Sequence, residues 1–131
     1  MLLDDLFLSG LLRTASKSGN SDIVKELLAI GVDPNQPIII QGLEDGKITK
    51  QFTTYYLHDT SKRGYLEVVK VLLDDKRIKI NEKDSDGKTA LDYAKKNDDE
   101  NYNKIAALIE AALLTTTLST LHSQRFLLLL L

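Results

Sequence analysis

The feature that most constrains the fold of this chain is a sequence pattern that occurs twice. SKSGNSDIVKELLAIGVDPN, at residues 16–35, and SKRGYLEVVKVLLDDKRIKIN, at residues 61–81, share a glycine, an acidic residue three positions later, a β-branched pair, a lysine, a Leu-Leu pair and an asparagine. A weaker third copy is divided between TALDYAKKN, at residues 89–97, and KIAALIEA, which begins at Lys104. Such self-similarity predicts a repeat architecture, in which each unit buries its apolar face against the next.

The apolar positions of the pattern predict pairs of helices. In each copy four apolar residues fall at i, i+1, i+4 and i+5, and so lie on one side of a helix that needs a neighbour. They are Ile23, Val24, Leu27 and Leu28 in the first copy and Val68, Val69, Leu72 and Leu73 in the second. A shorter helix precedes each of these and is predicted to end at Gly19 or Gly64, because glycine readily adopts the positive φ of a helix C-terminus.

The spacing of the copies relates them to a known family. The equivalent small residues Ala15, Thr60 and Ala94 are 45 and 34 residues apart, which exceeds a unit of about 33 residues by about 12 and 1. The chain resembles the ankyrin repeat family: DGKTALDYA is similar to that family's D-x-x-G-x-T-P-L-H-x-A opening, and LLAIGVDPN to its L-L-x-x-G-A-D-x-N close. We identify about three repeats, of which the first and last are degenerate, with GLLR and TALD in place of T-P-L-H. The repeats cover about residues 6–35, 50–81 and 84–112.

The resemblance implies an all-α repeat fold, a solenoid of stacked helix-turn-helix units with β-hairpin fingers. We predict a repeat domain over residues 1–114 and a Thr- and Leu-rich tail over residues 115–131. An insertion at about residues 36–52 places Asp45-Gly46 between two β-branched runs, which is a strong hairpin signal. One finger is therefore predicted to be elongated, and the isoleucines at residues 38–40 either project from it or cover the edge of the helical stack.

The composition excludes several classes of function. A net charge of −2 gives no overall field that would attract nucleic acid or an anionic membrane. The absence of cysteine excludes disulfides, thiolate catalysis and cysteine-based zinc sites. His58 and His122 are too few for most metal or triad chemistry, and the family resemblance implies that His58 makes structural hydrogen bonds to neighbouring turns.

The acids of DSDGKTALDYA, residues 84–94, could be ligands or turn residues. With Glu82, Asp84 and Asp86 match the first half of a calcium loop, but Tyr93 stands where the bidentate acid belongs. Lys88 also replaces the threonine of a phosphatase D-x-D-G-T motif. We therefore predict a structural turn in which Gly87 takes the unusual φ and Thr89 begins a helix. No catalytic residue, metal or cofactor is predicted, and the chain is expected not to be an enzyme.

The two ends of the chain carry no predicted targeting or membrane-spanning signal. MLLDDLFLSGLL places Asp4 and Asp5 where a signal peptide needs positive charge. The longest unbroken apolar run, at residues 126–131, falls short of the roughly 18 residues that span a bilayer, so we expect a cytoplasmic protein. For the tail three alternatives stay open: a cap folded back over the stack, an apolar strip for a partner or membrane, or a disordered segment.

The resemblance implies that a partner binds the concave face formed by the fingers and the first helices. By repeat register, the predicted protein-binding residues are Lys17, Ile39, Phe52, Thr54, Lys62, Arg63, Asp86, Lys88 and Lys96. Because this face is cationic, we predict a protein partner with an acidic patch, no nucleic acid, and membrane contact only through the tail. One alternative is that these lysines only solubilise the surface. Another is a membrane-proximal or targeting adaptor anchored by the leucine-rich tail.

Overall fold

The computed structural model describes residues 2–131, with side chains described from Asp4 onward, and has six helices and one two-stranded sheet within that range. In chain order the elements are α1 (Leu2–Lys17), α2 (Ser21–Ala29), β1 (Pro37–Glu44), β2 (Lys47–Tyr55), α3 (Tyr56–Arg63), α4 (Leu66–Asp74), α5 (Ala90–Lys95) and α6 (Glu100–Leu130). The first helices α1, α3 and α5 contact one another in that order, and so do the second helices α2, α4 and α6. The predicted helix-turn-helix units with a β-hairpin are confirmed.

The predicted helix ends are confirmed at both glycines. The prediction that the first helix of each pair is the shorter one is wrong for α1, which has 16 residues against 9 in α2. Gly19 and Gly64 have φ of 75° and 74°, a left-handed conformation that costs other residues about 1 kcal/mol or more. The chain then turns into α2 or α4, and the Asn20 side chain caps α2 by accepting a hydrogen bond from the Ile23 amide at 3.2 Å.

The core lies between the two helical layers and is built from the predicted apolar positions, with one exception. Val68, Val69 and Leu72 of α4 are completely buried. The prediction that Ile23 packs in the core is wrong, because its side chain is 47% exposed. Ile23 is the repeat equivalent of the buried Val68. The difference arises because α4 lies between α2 and α6, whereas α2 has a second-layer neighbour on one side only.

Polar contacts also join the first two repeats. The Arg77 guanidinium donates to the carbonyls of Leu28 and Val32, each at 3.1 Å, near the end of α2. The Asn35 side chain donates to the Arg77 carbonyl at 2.7 Å and accepts from the Lys79 amide at 2.8 Å. These bonds tie the segment after α4 to the end of α2 and the turn that follows it.

The predicted hairpin is present at the insertion. β1 and β2 pair antiparallel from Pro37 opposite Tyr55 to Glu44 opposite Lys47, with an irregularity at residues 42–43. Asp45 and Gly46 form the turn with φ of 51° and 74°, the pair of positive values that a two-residue hairpin turn requires.

The isoleucines of the hairpin divide between the two roles left open for them. Ile38 is 8% exposed and belongs to the core, so it covers the edge of the helical stack. Ile39 and Ile40 are 45% and 50% exposed and remain available at the surface.

The tail continues α6 as a helix. Leu113 is the last residue of α6 that packs against the core, and residues 114–131 are exposed. The alternative of a cap folded back over the stack is therefore wrong. The threonine hydroxyls of the tail are satisfied within the helix, because they donate to carbonyls four residues earlier, as from Thr115 to Ala111 and from Thr120 to Thr116, each at 3.0 Å.

Candidate protein-binding surface

The turn at residues 84–88 is held by its own carboxylate. Oδ1 of Asp84 accepts hydrogen bonds from the backbone amides of Asp86 and Lys88 at 2.9 and 3.0 Å. The Asp84 amide donates to the Lys88 carbonyl at 2.9 Å, and Gly87 has a φ of 73°. The predicted structural turn is confirmed, and the carboxylate of Asp84 is occupied in forming it.

A capping box fixes the start of α5. The Thr89 hydroxyl accepts from the Asp92 amide at 3.3 Å, and the Asp92 carboxylate accepts from the Thr89 amide at 2.9 Å. The hydrogen bond from the Thr89 amide lowers the pKa of Asp92 below its ordinary value. The direction of α5 is thus set by local bonds, and with it the positions of Tyr93 and Lys96.

Tyr93 joins α5 to this turn. Its ring is 8% exposed, and its hydroxyl donates to Oδ2 of Asp84. Burial and this bond raise the pKa of Tyr93. Burial also acts to raise the pKa of Asp84, but hydrogen bonds from Tyr93, Lys88 and Asp86 outweigh it and lower the pKa overall.

His58 holds the same turn from α3. Its Nε2 lies 2.7 Å from the Glu82 carbonyl and 3.0 Å from the Lys88 carbonyl. Nε2 therefore carries the proton and donates, since both neighbours are acceptors. The ring of His58 also packs edge-on against Tyr93, with 6.1 Å between ring centroids. The structural role implied for His58 is confirmed.

Three predicted lysines converge on the Tyr93 ring, and we call them the lysine triad. The ammonium nitrogens of Lys62, Lys88 and Lys96 lie 5.8, 5.9 and 5.6 Å from the ring centroid, within the range of cation–π attraction. They come from the end of α3, the turn and the end of α5. The tertiary structure therefore joins residues that are 34 positions apart into one cationic group.

Like-charge repulsion acts within the triad. The nearness of the Lys88 ammonium lowers the pKa of Lys96, Lys62 contributes in the same direction, and Asp86 opposes them. In the described part of the chain the lysine ion pairs involve Lys70, Lys95 and Lys104, so none includes a member of the triad. The cluster thus concentrates positive charge that the surrounding protein does not pair directly.

A second group of predicted residues lies in a cleft between α1, α3 and the hairpin. The cleft encloses about 80 Å³ and contains Lys17, Thr54 and Arg63 together with Ile38 and Ile40. Arg63 already pairs with Asp59, with 3.0 Å between Nε and Oδ2. Thr54 is only 7% exposed, so it forms part of the cleft wall and offers little surface to a partner.

The remaining predicted residues lie on the hairpin and the turn beside it. Phe52 is half-buried opposite the exposed Ile40, whereas Ile39 is exposed beside a different cavity, near Arg13. The Thr53 amide donates to the Ser85 hydroxyl at 2.7 Å, and the Ser85 amide donates to the Thr53 carbonyl at 3.0 Å. β2 is thereby bonded to the turn that carries the exposed Asp86. Ile39 and Phe52 thus lie on the two strands of the hairpin, whereas the triad comes from α3, the turn at residues 84–88 and the end of α5.

Two residues of this surface were not predicted from the sequence. Tyr93 forms the centre of the triad, and Arg13 lines the cleft with Lys17. Tyr93 precedes Lys96 by three positions, a separation that makes helical neighbours, and that spacing is the signal that could have revealed it. Arg13 precedes Lys17 by four positions on α1 and could have been found in the same way.

Helix α6 meets the length and composition of a membrane span. Its most apolar stretch is largely exposed, with 11% of it buried. The length of the longest unbroken apolar run does not reveal this stretch, because threonine and serine lie between the apolar residues of α6. The prediction that no segment could span a bilayer is therefore not supported by the composition of α6.

Comparisons with known proteins place the repeats in context. A family model described as ankyrin repeats (3 copies) matches residues 11–117. The chain is 34% identical over 83 residues to alpha-latrotoxin-Lhe1a of Latrodectus hesperus, and 32% identical over 83 residues to alpha-latrotoxin-Lg1a of Latrodectus geometricus. Alpha-latrotoxin-Lh1a of Latrodectus hasselti is 34% identical over the same length. Each match covers 63% of this chain but 5% of the relative.

Proposed function

Because the chain belongs to the ankyrin repeat family, we propose that it is a non-enzymatic protein-binding module whose partner contacts the first helices and the hairpin turns. Ankyrin repeats are in general protein-protein interaction modules and are typically not enzymes. The observation that carries the proposal is the lysine triad, three unpaired cations around one buried tyrosine. The latrotoxins share only a short repeat region with this chain. Their likeness therefore supports a repeat module but gives no support for a toxin activity.

In this proposal the three helical hairpins form a short solenoid over residues 1–114. The concave side consists of α1, α3, α5 and the turns before α3 and α5, and the β1–β2 hairpin projects beside it as an elongated finger. Residues 41–51 of the hairpin are exposed, which supports a finger that reaches a partner. The exposed Ile40 and the half-buried Phe52 are suited to an apolar contact near the centre of the interface.

We propose a protein partner with an acidic patch. The whole chain has a charge of −2, so the positive charge of Lys17 and the triad acts locally and would steer an acidic surface during association. The affinity should then fall with increasing salt through the association rate. That the chain binds no nucleic acid and that it is cytoplasmic both stay predictions.

Charge reversal tests this surface. The variant Lys17→Glu/Lys62→Glu changes two exposed lysines at equivalent repeat positions on the first helices. The matched control Lys25→Glu/Lys76→Glu changes the charge by the same amount on α2 and after α4. Wild type and both variants would each be used to capture proteins from a lysate, and the amounts captured would be compared. The association rate of a specific partner would then be measured against ionic strength.

We expect the first-helix variant to reduce the association rate about tenfold and to flatten its salt dependence, while the control leaves both unchanged. Equal effects of the two variants would show that net charge and not this surface matters. Partners that bind the first-helix variant as fast as wild type would refute the proposal.

A second candidate function rests on α6. Residues 114–131 are exposed and include Leu118, Leu121 and Leu127. A helix of this length reaches about 25 Å, close to the roughly 30 Å of a bilayer core. The chain could therefore be a membrane-proximal or targeting adaptor in which the repeats bind a partner and the tail anchors them, although His122 and Arg125 interrupt the apolar surface.

Flotation with liposomes distinguishes this candidate from the first. Wild type and a variant lacking residues 126–131 would be mixed with neutral and with anionic vesicles. Membrane anchoring predicts that wild type floats with both and that the shortened chain remains at the bottom. If both stay at the bottom, the tail has no anchoring role, and the protein-binding proposal is unaffected.

A further inference from the structure

The lysine triad has the geometry of a site for a compact anion. Three ammonium groups from three separate elements lie between 5.6 and 5.9 Å from one ring centroid. Cation–π attraction to Tyr93 partly offsets the repulsion that would separate them. The lowered pKa of Lys96, caused first by the adjacent Lys88, indicates that the positive charge is only partly compensated.

Hydrogen bonds hold the Lys88 backbone and the Tyr93 ring in place beneath the triad. The Lys88 backbone amide donates to Asp84, and its carbonyl accepts hydrogen bonds from the Asp84 amide and from His58. Tyr93 is fixed by its own bond to Asp84. A ligand would therefore find the backbone and ring already ordered, and only the lysine side chains would lose freedom on binding.

The carboxylates nearby do not neutralise the triad. Asp84 is 7% exposed and already accepts bonds from Tyr93 and from two backbone amides. Asp86 is exposed and acts on Lys96 at a distance without forming an ion pair with it. Asp92 acts on Lys88 at a distance, but its carboxylate accepts the hydrogen bond from the Thr89 amide and forms no ion pair with the triad. An external anion is thus the partner that would relieve the repulsion.

The residue type favours a phosphoryl group over a carboxylate. Arginine, with its planar fork, suits a planar carboxylate, whereas lysine acts as a point charge and is a common phosphate ligand. A phosphorylated side chain carries about −1.5 to −2 charges and three acceptor oxygens, which matches three converging ammonium groups. We propose that Lys62, Lys88 and Lys96 bind the phosphoryl group of a phosphorylated serine or threonine on the protein partner, an inference that rests on the proposed function.

The proposal is tested with small probes by NMR. N-acetyl-phosphoserine amide would be titrated into the whole chain, with the serine and glutamate amides as matched probes at constant ionic strength. We expect saturable shifts at Lys88, Lys96 and Tyr93 with the phosphoserine probe only. Its affinity should increase between pH 5 and pH 7, because the second phosphate ionisation lies near pH 6. The pKa of Lys96 should rise on binding.

Adjacent lysines supply the matched variants. Lys96→Met should weaken phosphoserine binding about tenfold, since it removes one charge-assisted contact. Lys95→Met should change it less than twofold, because Lys95 pairs with Glu110 at 2.9 Å and is not in the triad. Circular dichroism would verify that both variants fold.

Four outcomes would overturn the inference. Three are no saturable response to the phosphoserine probe, an equal response to the glutamate probe, and equal weakening by the two lysine variants. The fourth comes from flotation of the whole chain with vesicles that contain a phosphoinositide: binding to these vesicles without a response to the phosphoserine probe. Each leaves the proposed protein-binding function intact, because that function is tested separately by partner capture with the Lys17→Glu/Lys62→Glu variant.

Discussion

Replacing Tyr93 with phenylalanine should reveal how strongly the bond to Asp84 holds the last repeat. The change keeps the ring and removes only the hydroxyl, which donates to the carboxylate of Asp84, a residue that is only 7% exposed. A hydrogen bond to a charged group contributes about 1.5–3 kcal/mol. We therefore expect the free energy of unfolding at pH 7 to fall by about 2 kcal/mol. With a urea slope of about 1.5 kcal/mol/M, the midpoint should fall by about 1.3 M.

The loss should depend on pH in a defined direction. Asp84 has a pKa below its ordinary value of 3.8, so it stabilises the fold above that pH, and this contribution is lost as the pH falls through the lower folded-state pKa. Without the hydroxyl of Tyr93, burial should raise the pKa of Asp84 again. The difference between wild type and Tyr93→Phe should thus be largest near pH 7 and should shrink as the pH falls through the lowered pKa of Asp84, below which Asp84 is protonated in both.

A second tyrosine supplies the control. Tyr102 donates to the Lys62 carbonyl at 3.0 Å in a more exposed position. Tyr102→Phe should therefore cost about 0.5–1 kcal/mol, with no change between pH 7 and pH 3. Urea unfolding followed by circular dichroism measures both. The single variants Tyr93→Phe and Asp84→Asn and their double variant form a double-mutant cycle. This cycle should give a coupling energy of about 1–2 kcal/mol between the two side chains. The reasoning is refuted if Tyr93→Phe lowers the free energy of unfolding no more than Tyr102→Phe does. It is also refuted if the loss caused by Tyr93→Phe is the same at every pH.

Three further predictions concern stability and are checked by urea unfolding. His58→Ala should lower the free energy of unfolding by about 2–4 kcal/mol, because it removes a buried ring and its bonds to two carbonyls. As a control, His122→Ala at an exposed position should lower it by less than about 0.5 kcal/mol. Arg77→Lys should cost about 1 kcal/mol, since a single ammonium cannot reach all the carbonyls that the guanidinium contacts; an unchanged midpoint would contradict this. Removing residues 115–131 should change stability by less than about 1 kcal/mol, because none of them is buried, and a larger loss would show that the tail packs on the repeats.

Much of the fold could be predicted because its signals are local. Gly19, Gly64 and the Asp45-Gly46 turn all have the positive φ that their positions indicate. The capping box at Thr89 likewise depends on residues three positions apart. Where prediction failed, the neighbours decided. Ile23 has the same sequence context as Val68, yet it is exposed because α2 has a second-layer neighbour on one side only.

The candidate site was predictable as a set of residues but not as an arrangement. Repeat register identified Lys62, Lys88 and Lys96 individually, since equivalent positions of stacked repeats lie on the same side. It did not indicate that all three surround Tyr93, or that Thr54 is largely covered. Those facts depend on distances between elements, which periodicity does not specify.

The sequence by itself determined the repeated helical hairpins, the hairpin insertion and the turn at residues 84–88, because helix periodicity and glycine conformation act over a few neighbouring residues. Only the tertiary structure decided that three lysines form one cationic group and that the leucines beyond Leu113 stay uncovered along α6. The physical reason is that charge repulsion and burial depend on which surfaces the packed repeats bring together, and the contacts between repeats join residues distant along the chain.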